Sequence, residues 1–129
     1  MFLAEARRMA SLAQAVGEHQ RTFVVLDEPF RGTNVHDATE VTQAVVQRLV
    51  ARARDTVFVA SHLTEMAPAL GAHPSVALLQ FEADCTSGVP VFDYRARAGV
   101  SMQRLGMYLL QREGVLRLLD RALPAPGDG

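Results

Sequence analysis

Residues Thr22 to Asn34 read TFVVLDEPFRGTN: a β-branched, apolar run that ends in two adjacent carboxylates and passes into a short polar loop. The run Thr22 to Leu26 has the composition and length of a strand buried on both faces. Such a strand delivers Asp27 to its C-terminal end, where a carboxylate can hold a water on a magnesium ion. Glu28 comes next in line, placed to polarise an attacking water. An apolar run followed by Asp-Glu also occurs as a plain strand closed by an acidic turn, so the chemistry depends on what surrounds the pair.

Upstream, Phe2, Leu3, Ala6, Met9, Ala10, Ala13 and Val16 recur at spacings of three and four, which predicts an amphipathic helix over 2–16 stopped at Gly17. Downstream, Asp37 and Glu40 form a capping box. Val41, Ala44, Val45, Leu49 and Ala53 lay a stripe along a helix over 38–53. Thr56 to Ala60 reads as a second buried strand, followed by a short helix from Leu63 to Leu70 closed by Gly71. Val76 to Phe81 and Val89 to Arg95 read as an antiparallel edge pair joined by the turn-rich segment Ala83 to Gly88. Ser101 is placed to cap a final helical region from Met102, bent near Gly114 and resumed through Leu119 and Leu123. No repeat or linker interrupts this order, so residues 1–123 are expected to form one α/β unit with parallel central strands and flanking helices, and 124–129 a frayed tail. A right-handed crossover brings the C-terminal ends of both parallel strands to one edge, where Asp27, Glu28 and His62 converge.

The loop Pro29-Phe30-Arg31-Gly32-Thr33-Asn34 after Asp27-Glu28 resembles the loop x-x-(Gly or Phe)-Arg-Gly-Thr-(Ser or Asn) that follows the Walker B strand in the ATPase domain of the MutS family of DNA mismatch-repair proteins. VFVASHL, Val57 to Leu63, is similar to that family's strand ending in a switch histidine, here His62. Phe92-Asp93-Tyr94, Gly99, Gly106 and Glu113-Gly114-Val115 look like its C-terminal tail, and Phe2-Leu3-Ala4-Glu5 resembles the stretch after its signature serine. The likeness covers residues 2 to 121 in order and spacing. It implies the C-terminal half of an ABC-type P-loop NTPase domain, with ATP and Mg2+ as cofactors in the complete protein. Asp27 would direct the magnesium through water, Glu28 would act on the attacking water, and His62 would meet the γ-phosphate. Arg31, Gly32, Thr33 and Asn34 would form a loop touching a second copy of the domain. The implied partners are that second copy, the upstream half of the same domain, and DNA through regions absent from this chain.

Composition sets the bounds. All 13 basic residues are arginine, so the chain contains no lysine for a Walker A loop and no glycine-rich turn to cradle phosphates. The chain therefore reads as a portion that is incomplete without an upstream phosphate loop. Two other readings share the same residues: a non-catalytic remnant serving as a dimerisation or interaction module, and another ABC-type ATPase. A net charge of −1 argues against a chain-wide nucleic-acid footprint. No run of about 18 apolar residues marks a membrane span, and Arg7 and Arg8 interrupt the N-terminal apolar stretch. The lone Cys85 excludes an intrachain disulfide and fits a reducing cytoplasm.

His19, His36 and His73 lack metal-ligand spacing, and Cys85 has no apparent paired histidine. Gly32 is expected to serve the backbone turn, Thr33 and Asn34 also suit the start of a helix, and Met102 and Met107 read as core or interface fillers. Because the lysine and the N–H cradle supply most phosphate contacts, the 129-residue chain alone is expected neither to hydrolyse Mg-ATP nor to bind it tightly. Calorimetry checks this, and micromolar binding would contradict it.

Overall fold

The computed structural model describes residues 2–127, so Met1 and the last two residues of the expected frayed tail lie outside the described residues. The described residues fall into two compact units, one drawn from Met1–Leu79 with Ala98–Val100 and the other from Gln80–Arg97 with Ser101–Gly129. Two-residue strands, β3 (Leu79–Gln80) and β6 (Arg97–Ala98), lie where the chain passes from one unit to the other.

In the first unit, α1 (Phe2–Glu18) leads to β1 (Phe23–Asp27), then α2 (Val35–Ala51), β2 (Thr56–Ala60), a 3-10 turn (Thr64–Met66) and α3 (Ala67–Gly71). The strands are parallel and in register from Phe23 opposite Thr56 to Asp27 opposite Ala60. The fold is thus mixed α/β, with a parallel pair joined through a helix. The core is built from Val16, Val24, Leu26, Phe30, Ala38, Val46, Leu49, Leu63, Met66 and Leu70.

Burial on the strands departs from the expectation of two covered faces. Val24 and Leu26 are buried, whereas Phe23 and Val25 are 68% and 61% exposed. On β2, Phe58 is 58% exposed, and its ring lies 5.6 Å from that of Phe23. One face of the pair therefore carries the core and the other carries an open aromatic and aliphatic strip. Composition alone cannot separate the two cases, because every residue from Phe23 to Leu26 is apolar whichever way it points.

The helices differ from expectation at their ends. Helix α1 runs past Gly17 to Glu18, and the Ala15 carbonyl lies 2.7 Å from Nδ1 of His19. Helix α2 starts at Val35, three residues earlier than the Asp37–Glu40 capping box implies, because Asn34 is the cap. Its buried positions are Ala38, Thr39, Thr42, Val46 and Leu49, a stripe rotated from the expected one; Ala53 lies beyond the helix and is exposed. The chain leaves α2 through Ala53 at φ 56, in the left-handed conformation usual at a helix exit. That conformation costs a residue with a Cβ roughly 1–2 kcal/mol.

A polar clamp fixes the start of the strand pair. The Asp55 side chain is fully buried and accepts hydrogen bonds from the Thr22 N–H (2.9 Å), the Thr22 hydroxyl (2.7 Å) and Nε of Arg52 (2.6 Å). Arg52 also donates to the His19 carbonyl at 3.0 Å, tying the exit of α1 to the exit of α2.

The second unit holds an antiparallel pair, β4 (Ala83–Asp84) with β5 (Val91–Phe92). Val89 to Arg95 thus finds its partner in the stretch expected to be a turn, not in Val76 to Phe81. The connection narrows to Cys85–Gly88, where Gly88 at φ 83 donates to the Cys85 carbonyl and Asp84 accepts from the Thr86 N–H. Gln103 extends the pairing by bonding both the N–H and the carbonyl of Ala83. Helices α4 (Leu105–Arg112) and α5 (Val115–Ala122) meet at Gly114, whose φ of 71 produces the expected bend. Ser101 accepts from the Gln103 N–H in a turn before α4 and does not cap the helix. Neither helix buries a residue, and Met102 is 77% exposed, so it is not a core filler. Among the described residues no helix is long and apolar enough to cross a membrane.

The Thr22 hydroxyl above all, then the Arg52 guanidinium, hold the Asp55 carboxyl below the usual carboxylate range against the opposing effect of burial. A carboxyl whose folded pKa is depressed adds stability above its unfolded pKa of about 4 and loses it as pH falls through the folded value. Asp55→Asn is expected to lower the thermal midpoint near neutral pH by several degrees and to flatten the acid limb. Thermal melts at stepped pH measure both effects.

Candidate functional site

The site begins where β1 ends. The Glu28 N–H donates to the Ala60 carbonyl at 2.8 Å, carrying the parallel ladder one residue beyond Asp27. Glu28 then turns through φ 46, a left-handed conformation that costs a residue with a Cβ roughly 1–2 kcal/mol. Its carboxylate Oε2 lies 2.8 Å from Nδ1 of His62, which follows β2. The His62 side chain is 69% exposed and that of Glu28 31%, so the pair sits at the surface with the carboxylate end more enclosed. His62 is held from its C-terminal side: Leu63 is buried and donates its N–H to the Ser61 hydroxyl, and the Thr64 N–H donates to the His62 carbonyl.

The loop between Glu28 and α2 is anchored at two points. Phe30, 3% exposed and at φ 59, plugs into the core, with the Phe2 ring 5.8 Å away. Asn34 caps α2: its Oδ1 accepts from the Asp37 N–H at 2.9 Å, and its Nδ2 donates to the Asp37 carboxylate at 2.8 Å. Between these anchors Arg31 and Gly32 are exposed and Thr33 is half-buried. The left-handed positions belong to Glu28 and Phe30, not to Gly32, so the turn does not draw on the freedom for which the glycine was singled out. Glu28, Arg31, Thr33 and His62 line a cleft of about 40 Å³ with Pro29, Val35, Ala38 and Leu63.

Asp27 does not line that cleft. Successive strand residues point to opposite faces, so Asp27 shares a side with Phe23 and Val25, and it lines a separate cavity with Glu5, Arg8 and Val25. Of the three residues expected in one crevice, the structure joins Glu28 and His62 directly and leaves Asp27 on the adjoining side of the strand end. The direct carboxylate–imidazole bond was not foreseen. The constant strand offset puts Glu28 level with Ser61, and His62 is the next residue along. Among the described residues no group of three or more His, Cys, Asp or Glu could hold a metal ion. Magnesium, however, usually takes one or two carboxylates and completes its shell with water and phosphate oxygens. Asp27 at a strand end fits the protein's share of such a shell. The phosphate side has no counterpart here, since the chain has no lysine.

The arrangement is a parallel β-α-β unit with an acidic strand end and a facing histidine. The particular family follows from comparison: the family described as MutS domain V matches residues 1–122, and the chain belongs to it. The chain is similar to the DNA mismatch repair protein MutS 2 of Halobacterium salinarum, at 28% identity over 99% of this chain and 15% of that protein. It is similar to the DNA mismatch repair protein MutS of Natronomonas pharaonis, at 28% over 94% of this chain and 14% of that protein. It is also similar to the DNA mismatch repair protein msh3 of Aspergillus oryzae, at 29% over 82% of this chain and 9% of that protein. The chain thus spans between 9% and 15% of the length of these relatives.

Asn34→Ala removes the cap that fixes the far end of the loop. It is expected to destabilise the first unit by about 1 kcal/mol, and the loss should appear in urea melts followed by far-UV circular dichroism.

Proposed function

We propose that this chain is the C-terminal portion of an ATP-binding and ATP-hydrolysing domain of the ABC-type P-loop class, in a protein of DNA mismatch repair or related DNA maintenance in the cytoplasm. The observation that carries the reading is the Glu28–His62 bond at the C-terminal ends of two parallel strands, in a chain that belongs to the MutS domain V family. Residues 1–123 serve as one working portion, completed by an upstream segment that supplies the phosphate loop.

In this reading Asp27 would help hold a magnesium ion, which would supply charge neutralisation at the phosphates. Glu28 accepts a proton from the attacking water. His62 gives its Nδ1–H to Glu28, which fixes both side chains and leaves Nε2 as the atom that meets a phosphate oxygen, as a donor when the ring is protonated. Arg31, Gly32, Thr33 and Asn34 face a second copy of the domain, with Asn34 doubling as the cap of α2. DNA is engaged through other regions of the complete protein.

The test uses the complete protein. Glu28→Gln keeps size and most hydrogen bonding but removes the charge, so hydrolysis should fall by about a hundredfold or more while ATP binding stays nearly intact. Asp27→Asn should weaken nucleotide affinity as well as turnover, because the magnesium that Asp27 would help hold would offset phosphate charge in the bound ground state too. His62→Ala should reduce hydrolysis and leave magnesium affinity in place. Binding and single-turnover rates separate the three roles, and parental hydrolysis by Glu28→Gln would remove the catalytic assignment.

A further inference from the structure

Glu28 adopts φ 46 and Phe30 adopts φ 59, so two residues that carry a Cβ stand in the left-handed region with only Pro29 between them. Glu28 is the less suited of the two. It precedes a proline, and the proline ring pushes the residue before it toward extended backbone.

The direction of the Glu28 side chain depends on that unusual φ. Its N–H is fixed by the Ala60 carbonyl, so rotation about N–Cα toward ordinary values would swing Cβ, and the carboxylate with it, away from its present place. At the present value Oε2 lies 2.8 Å from Nδ1 of His62. That bond alone is a weak restraint on the backbone, because the His62 side chain is 69% exposed and water competes for both partners. Local strain persists only where the surroundings over-determine it. The strongest restraint in the loop is Phe30, whose side chain belongs to the core cluster with Val24, Leu26, Ala38 and Leu63. The Phe2 ring braces it from α1 at 5.8 Å, and the Phe30 carbonyl accepts from the Thr33 N–H at 3.2 Å, closing the loop behind it.

We infer that Phe30 is the positioning residue for Glu28: burial of its ring, braced by Phe2, holds the left-handed turn that lays the Glu28 carboxylate against His62. The inference deepens the proposed ATPase reading and rests on it for the use to which the pair is put. The geometry itself is a property of the chain alone.

The experiment reads the tautomer of His62 from its ring 15N shifts in the 129-residue chain, about two pH units above the ordinary imidazole pKa, where an imidazole is neutral. A carboxylate that accepts from Nδ1–H selects the Nδ1–H tautomer. The parent should therefore show His62 mainly in that form, with His62→Gln identifying its signals among the four histidines. Glu28→Ala supplies the tautomer ratio of a ring without its partner. Phe30→Ala should lower the ratio of Nδ1–H to Nε2–H about tenfold, toward that reference, which is the scale of one charge-assisted bond. Phe2→Ala, at a position 43% exposed, should lower it about twofold, the share of one aromatic pair. Phe30→Leu keeps an apolar plug and should stay near the parent. Asn34→Ala, which loosens the far end of the loop, should leave the ratio unchanged. An Nε2–H ring in the parent would overturn the inference without any variant. So would a parental ratio in Phe30→Ala or, where that variant does not fold, in Phe2→Ala. A fall in Asn34→Ala or Phe30→Leu equal to that in Phe30→Ala would overturn it too, since burial of the plug would not be what holds the turn. No nucleotide is present in this measurement, so failure of the ATPase reading shows only in hydrolysis by Glu28→Gln, and failure of this inference only in the ring nitrogens.

Discussion

Five register pairs, from Phe23–Thr56 to Asp27–Ala60, hold β1 and β2 side by side, and each functional feature of the first unit hangs from them. The pairing is fastened at both ends. At the start, buried Asp55 gathers Thr22 and Arg52. At the finish, the Glu28 N–H reaches the Ala60 carbonyl. Between these fastenings the strands cannot slide, because a one-residue slip would send Val24 and Leu26 to the open face. The position of the Glu28 carboxylate relative to His62 is thus set by the backbone and only adjusted by rotamers.

The parts of the fold legible in the sequence are those where one residue type has one consequence. Phe23 to Asp27 and Thr56 to Ala60 are strands almost to the residue, and the break at Gly114 is a left-handed turn, as a glycine between two helical segments implies. The less legible parts turn on competition between neighbours. Asn34 and Asp37 both suit a helix start, and Asn34 prevails because its side chain serves the Asp37 N–H while its carbonyl opens the α2 ladder. Gly17 is a plausible helix stop, yet it has open space around it and a helical neighbour on each side, so the helix passes through. The partner of Val91–Phe92 was obscured by polar residues: Ala83–Asp84 looks like turn material, and only the Gln103 side chain, 20 residues away, completes its bonding.

The site divides the same way. That Glu28 and His62 reach the same edge was readable because strand ends in a parallel sheet converge, whereas the bond between them was not. That Asp27 and Glu28 open onto different cavities follows from strand alternation and was available from the outset. The Asp55 clamp was invisible, since it depends on which donors the fold brings to the carboxylate and not on residue type. A charged residue in a loop or a first helical turn reads as solvated until its surroundings are known.

The ties that build the first unit have nearly the same span. Thr22 to Asp55 and His19 to Arg52 are each 33 positions apart, and Glu28 to His62 is 34. In terms of chain entropy they are one event: once any of them closes the loop through α2, the others add almost no further loss, because closure cost depends on a span already fixed. The Glu28–His62 contact thus inherits its preorganisation from a clamp at the opposite end of the sheet. A segment that must bring an acid and a base together from distant positions does so here with a single crossing of the chain.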